Sequence, residues 1–82
     1  MQTIYLDASR YKDSHALHAA LKSMLHLPDY YGMNADALND CLSERNEPVR
    51  LWIASPGENE VAQALETICT VITDNGGIIK EL

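Results

Sequence analysis

Two aspartates, Asp36 and Asp40, stand four residues apart in a stretch that has no basic side chain, and Tyr30 and Tyr31 precede them. Carboxylates at this spacing lie on one face of a helix. Together they could act as an acid/base pair, or they could accept hydrogen bonds from cations of another molecule. The elements that position them decide between these two kinds of chemistry.

The stretch is predicted to be a loop followed by a helix. Pro28 disfavours helical geometry in the residue before it, so a loop should run through the tyrosines to Gly32. Asn34 is a favourable N-cap, and the next helix is predicted to start there. The apolar residues of this helix recur at three- and four-residue spacing, which turns the polar ones outward. The apolar set is Leu38, Cys41 and Leu42, and the polar set is Asp36, Asn39, Asp40 and Ser43.

Helix stability does not explain Asp40. It falls near the end of a short helix, where the dipole is negative, and four residues after another aspartate; each effect costs roughly a few tenths of a kcal/mol. No lysine or arginine lies between Lys22 and Arg45 to neutralise it. From the residues alone, a solvated face and a cation-binding face are equally good interpretations of this surface.

Length and charge restrict the class of protein. The chain has 82 residues with 12 acidic and 6 basic side chains, a formal net charge of -6, which predicts a single domain over residues 1–82. The excess acid disfavours direct contact with nucleic acid or anionic membranes and favours a cationic protein partner. No apolar run approaches the roughly 20 residues of a membrane span. Because Asp7 interrupts the first apolar stretch and no basic region precedes it, we expect a cytoplasmic protein.

The sequence predicts no cofactor, no metal site and no catalytic residue. Cys41 and Cys69 lack Cys-x-x-Cys spacing, which favours buried free thiols. His15 and His18 could share a helix face, but no third ligand lies nearby. There is no phosphate-binding glycine loop and no nucleophile motif. An enzyme is therefore the least favoured class, since the two aspartates also lack a sequestered pocket.

Hydrophobic periodicity predicts the element order β-α-α-β-α-β. The strands are expected at residues 3–7, 49–53 and 78–82, with the middle one buried. Asp13 or Ser14 should cap the first helix, and Gly76 and Gly77 should stop the last. This order calls for right-handed crossovers, and thus for an α/β fold with a small parallel sheet packed against helices.

The segment from Leu27 to Leu42 carries a family pattern: leucine, proline, acid, two tyrosines, glycine, any residue, asparagine, any residue, aspartate, alanine, leucine. Here the chain resembles the barstar family, small intracellular proteins that inhibit ribonucleases. Outside this segment the resemblance is mainly topological. It implies one barstar-like domain with a three-stranded parallel sheet covered by helices.

The resemblance also implies a function and a contact surface. The chain would inhibit a ribonuclease, without enzymatic activity of its own, by blocking the active site with residues from about 30 to 44. Asp40 would mimic a substrate phosphate. The partner would be a basic extracellular-type ribonuclease or a similar cationic protein, and the free inhibitor would be a monomer. The implied contact residues are Tyr30, Tyr31, Gly32, Asn34, Ala35, Asp36, Asn39 and Asp40.

Three positions depart from the family's namesake. Ala35 and Asn39 stand where that protein has leucine and tryptophan, and Val71 stands about where it has a further acidic contact. Because truncated anchors cost binding energy at the centre of an interface, we expect weak or no inhibition of barnase and a different cognate ribonuclease. The alternative is a barstar-like module that binds another basic protein without inhibiting a nuclease. We also expect at least one of Tyr30 and Tyr31 to pack under the loop as core.

Overall fold

The chain forms three parallel strands and three α-helices. They follow one another in the predicted order β-α-α-β-α-β, so the α/β assignment is confirmed. The computed structural model describes all residues from 1 to 82. A short 3-10 helix after the first strand, Ala8–Arg10, is an addition that the sequence did not predict. The other elements are β1 (Gln2–Asp7), α1 (Ser14–Leu25), α2 (Ala35–Ser43), β2 (Val49–Ser55), α3 (Asn59–Asp74) and β3 (Ile78–Glu81).

The sheet has the strand order β1-β2-β3, and its two faces differ in burial. Successive side chains of a strand point to opposite faces. One face packs against the helices, and its residues Ile4, Leu6, Val49, Leu51 and Ile53 are buried. The other face has no helix over it, so the middle strand, which was expected to be buried, is buried on one side only.

The caps of the first helix follow the sequence closely. Asp13 is the N-cap of α1, and its carboxylate accepts a hydrogen bond from the amide of Ala16 at 2.8 Å. The helix ends at Leu25, before Pro28, with His26 in the left-handed region at φ 54°. Leucines at four-residue spacing form the buried stripe of α1: Leu17, Leu21 and Leu25.

The connection from α3 to β3 depends on two glycines. Gly76 has φ +81°, a conformation that costs a residue with a Cβ atom. Gly77 has no room for a side chain, because a Cβ atom there would lie 2.4 Å from both the carbonyl oxygen of Val49 and Cγ2 of Ile72. The predicted stop at these glycines is therefore confirmed, and it brings β3 against β2.

Helices α1, α2 and α3 form one layer over the sheet, and 17 buried apolar residues join the two layers in a single core. No helix is both long and apolar enough to cross a membrane. Cys41 and Cys69 are free thiols, as predicted. Both were expected to be buried, and the structure leaves each half-buried.

Candidate functional site

The loop between α1 and α2 is held at its end by Asn34. The side-chain oxygen of Asn34 accepts a hydrogen bond from the amide of Ala37 at 2.8 Å, which caps α2 as predicted. Its side-chain nitrogen donates to the carbonyl of Gly32 at 3.1 Å. One side chain thus fixes both the end of the loop and the start of the helix.

The two tyrosines of the loop have opposite environments. Tyr30 is 81% exposed, whereas Tyr31 is 5% exposed and belongs to the core. The Tyr31 hydroxyl lies 2.6 Å from Nδ1 of His18, a buried residue of α1. The expectation that at least one tyrosine packs under the loop is therefore confirmed, and Tyr31 is the one.

The outward face of α2 carries the predicted acids. Six of the eight residues expected to contact a ribonuclease are exposed, Ala35 is half-buried, and Tyr31 is buried. We refer to the six exposed residues as the acidic surface: Tyr30, Gly32, Asn34, Asp36, Asn39 and Asp40.

Asp40 lies in the last turn of α2, and its carboxylate has no hydrogen bond and no ion pair within the chain. The hydroxyl of Ser43 donates to the backbone carbonyl of Asp40, at 2.9 Å, and leaves the carboxylate free. Arg45 is the basic residue nearest along the chain, but it points elsewhere. Its guanidinium donates to the carbonyl of Leu25 and to the side chain of Gln2.

Lys22 is the other basic residue that flanks the segment. Its Nζ atom lies 3.9 Å from a carboxylate oxygen of Asp29, whose side chain is fully exposed. An exposed pair of this kind contributes little to stability, because solvent screens both charges. The two cations that bound the segment thus pair with Asp29 and with the end of α1 and Gln2, and neither forms an ion pair with the acids of α2.

A shallow hollow of about 220 Å³ lies between the loop and α2. Tyr30 and Gly32 line it from the loop, and Asp40, Cys41 and Glu44 line it from the helix. An aromatic ring beside two carboxylates is an arrangement that can hold a guanidinium, an ammonium or an imidazolium group. Glu44 was not among the eight predicted contact residues.

Asn39 is tied to the end of α3. The side-chain nitrogen of Asn75 donates to the side-chain oxygen of Asn39 at 2.9 Å and to the carbonyl of Val71 at 2.8 Å. Asn75 is the C-cap of α3 and lies 36 positions away in sequence. No local signal could have joined these residues, because their approach depends on how α2 packs on α3.

Burial shifts the pKa of three titratable groups around the loop. Burial lowers the pKa of His18, with a smaller contribution from His15. Burial also raises the pKa of the Tyr31 hydroxyl, and it raises the pKa of Cys41. No group of three or more His, Cys, Asp or Glu residues is arranged to hold a metal ion. The features that remain are an exposed ring, exposed carboxylates and a rigid support.

Comparison with known proteins finds one matching family and a similar curated protein. The family model described as Barstar (barnase inhibitor) matches residues 1–77. A protein of Bacillus subtilis (strain 168), named "Putative ribonuclease inhibitor YrdF", is 46% identical over 43 residues. That alignment covers 52% of this chain and 47% of the relative, so the chain matches about half the length of that protein.

Proposed function

Since this chain belongs to the barstar family, we propose that it inhibits a ribonuclease by covering the active site of the enzyme with the loop and helix from about residue 30 to residue 44. The partner is a basic ribonuclease of the extracellular type. The inhibitor contributes no chemistry of its own, because occupying the site is enough.

The observation that carries this proposal is the free carboxylate of Asp40. It lies at the end of α2 where the helix dipole disfavours a negative charge, and no cation of the chain compensates it. A partner that supplies a cation removes this unfavourable term. The exposed ring of Tyr30 and the carboxylate of Glu44 border the same hollow, so the cation has a place to enter.

The chemistry of a ribonuclease cleft fits such a surface. The cleft presents arginine, lysine and histidine side chains to the phosphates of RNA, and a carboxylate can accept the same charge-assisted hydrogen bonds. Asp40 therefore mimics a substrate phosphate, and Asp36 adds to the negative field. That field also raises the rate at which a basic enzyme is encountered.

The acidic surface is held in place by three side-chain contacts, which favours a binding surface over a solvated polar face without a partner. Asn34 fixes the start of α2, Tyr31 anchors the loop to α1, and Asn75 holds Asn39. A surface that is already ordered loses less conformational entropy when it binds. Ala35 and Asn39 offer less apolar contact than a leucine and a tryptophan would, which favours a cognate enzyme other than barnase.

The direct test is capture from the native cell followed by an activity assay. The tagged chain and its Asp40→Asn variant, which keeps the side-chain shape, are used as parallel baits. We expect the parent bait to recover a basic protein whose RNA cleavage stops when more inhibitor is added. The variant bait should recover much less of it.

Two results would contradict the proposal. If the recovered basic protein has no nuclease activity, the chain is a binding module for another cationic protein. If the chain itself hydrolyses a substrate and Asp40→Asn abolishes that turnover, the acid/base interpretation of the two aspartates replaces inhibition.

A further inference from the structure

The face of the sheet that no helix covers carries two rows of cross-strand neighbours. The register places Thr3, Arg50 and Ile78 side by side in one row, and Tyr5, Trp52 and Lys80 in the next. We refer to these six residues as the open sheet face. They lie on the side of the sheet opposite the helix layer, so this face and the acidic surface can be occupied at the same time.

Large apolar side chains are concentrated on this side of the sheet. Tyr5 is 66% exposed and Ile78 is 47% exposed. Met1 precedes β1 and Leu82 follows β3, and both are exposed. Because side chains alternate between the two faces along a strand, both positions correspond to the open sheet face. Of the large hydrophobic residues exposed by this chain, only Tyr30 lies elsewhere. Grouped exposed apolar side chains mark interaction sites, whereas scattered ones need no explanation.

The charge of the open sheet face is opposite to that of the protein. The chain has a net charge of -6, yet these six residues include two of its six basic side chains and no carboxylate. The Nζ atom of Lys80 lies 4.5 Å from the centre of the Trp52 ring, which holds its charge over the middle of the sheet. Asp7, at the end of β1, accepts hydrogen bonds from Ser9 through Oδ1, and Glu47 pairs with the amino terminus of Met1.

We propose that the open sheet face is a second protein-docking surface and that its partner is an acidic amphipathic segment. Apolar side chains of the partner pack against Tyr5 and Ile78, and its carboxylates pair with Arg50 and Lys80. This interaction does not depend on ribonuclease inhibition. It would let the chain hold a basic protein on one side and an acidic one on the other.

Two other occupants fit the observations less well. A second copy related by a two-fold axis would bring Arg50 and Lys80 of both chains into one interface with no carboxylate of the face to pair them, which is unfavourable. Single-stranded RNA needs free rings on which bases can stack. Here Lys80 covers the ring of Trp52, which leaves Tyr5 as the exposed ring, and the net charge of -6 repels a polyanion.

The test uses a short synthetic amphipathic peptide of leucine and glutamate, and a second peptide in which lysine replaces glutamate. Each is titrated into the full chain. Trp52 is the single tryptophan of the chain and lies in the central strand of the face, so its fluorescence reports binding directly. Amide chemical shifts of β1, β2 and β3 locate the contact.

Two charge-reversal variants distinguish the effect of the charges on the open sheet face from the effect of the net charge of the protein. R50E/K80E changes the open sheet face, and R10E/K12E makes the same change in net charge at exposed positions outside it. We expect the acidic peptide to bind the parent, to bind R50E/K80E about tenfold more weakly, and to bind R10E/K12E within about threefold of the parent. R50E/K80E should also gain affinity for the lysine peptide.

Several results would overturn the proposal. The acidic peptide could fail to bind, or both charge-reversal variants could lose binding equally. Concentration-dependent dimers in sedimentation velocity that Tyr5→Ser abolishes would assign the face to a second copy. Tighter binding of a uridine oligonucleotide than of the acidic peptide would assign it to RNA. Circular dichroism checks that each variant is folded, and Tyr5→Ser, which keeps every charge, should still weaken peptide binding if R50E/K80E does not fold.

Discussion

The hydroxyl of Tyr31 lies 2.6 Å from Nδ1 of His18, and this contact joins the loop of the acidic surface to the buried side of α1. The same hydroxyl is 3.5 Å from the carbonyl of Asn34, a weaker contact. With Nδ1 unprotonated, the hydroxyl donates to the imidazole. The loop is therefore positioned by a buried polar pair as well as by apolar packing, and the exposed Tyr30 is oriented by its buried neighbour.

Tyr31→Phe should destabilise the protein. The change removes the hydroxyl and leaves Nδ1 of His18 buried without a partner, which costs about 1 to 3 kcal/mol. Tyr30→Phe is the matched control, and because Tyr30 is exposed its effect should stay within about 0.5 kcal/mol. Urea unfolding of both variants measures the difference. Equal stabilities of the two variants would mean that the buried pair contributes nothing.

The stability of the protein should fall as the pH is lowered from 7.5 to 5.5. Burial lowers the pKa of His18 in the folded state below the ordinary histidine pKa of 6.5. As the pH falls through 6.5, the unfolded chain therefore takes up a proton at His18 more readily than the folded chain does. Stability is then lost as the pH falls through that value, by up to about 1.4 kcal/mol over this interval. Urea unfolding at several pH values measures the slope.

Two histidine variants test whether His18 causes this dependence of stability on pH. His18→Gln should remove most of it, since no buried imidazole remains to resist protonation. His26→Asn removes an exposed imidazole at a left-handed position that asparagine tolerates, and it should keep the slope. A slope that survives in His18→Gln would show that another group is responsible.

Asp40→Ala should weaken the complex with the cognate ribonuclease without harming the fold. Loss of hydrogen bonds to a charged group costs about 1.5 to 3 kcal/mol, or roughly 10- to 150-fold in Kd. The free chain should be as stable as the parent or slightly more so, because the carboxylate is unfavourable at the end of α2. Glu81→Ala, on the exposed strand β3, is the control and should leave Kd nearly unchanged. Similar losses in both variants would contradict the role given to Asp40.

Association with that ribonuclease should slow as salt is added. The acids of the acidic surface are exposed, and such charges are screened over about 10 Å at 0.1 M ionic strength. Stopped-flow association at low and high salt measures the effect, which should be smaller for the Asp40→Ala variant. An association rate that does not change with salt would point to a mainly apolar interface.

Gly77→Ala should be far more destabilising than Gly76→Ala. At Gly77 a methyl group meets the carbonyl of Val49 and the side chain of Ile72 at 2.4 Å, and overpacking of this kind costs about 3 kcal/mol or more. At Gly76 the methyl group would meet only Cγ of Pro48, at 3.9 Å, an ordinary contact, so the cost is that of the left-handed backbone, about 1 to 2 kcal/mol. Thermal unfolding of the two variants compares them. A larger effect at Gly76 would mean that backbone conformation, rather than space, governs this turn.

The sequence by itself determined the features that depend on neighbours along the chain. Asn34 was recognised as a cap, and Asp13 was one of two candidates, because a cap bonds to an amide three residues away. The outward direction of Asp36 and Asp40 followed from the helical period, and the three strands followed from short apolar runs between turn signals. The element order then restricted the fold to a small parallel sheet with its helices packed against it.

The tertiary structure decided what depends on distant parts of the chain. Tyr30 and Tyr31 are adjacent and chemically identical, and only their tertiary contacts make Tyr31 core, packed in the apolar cluster and bonded to His18, and leave Tyr30 on the surface. Asn75 meets Asn39 because α3 packs on α2. The strand at Trp52 is mostly apolar in sequence, which predicted burial on both sides, but the helices lie on one side of the sheet, so its other face stays open. Helical period and capping act over a few residues, whereas burial is set by what folds against a surface.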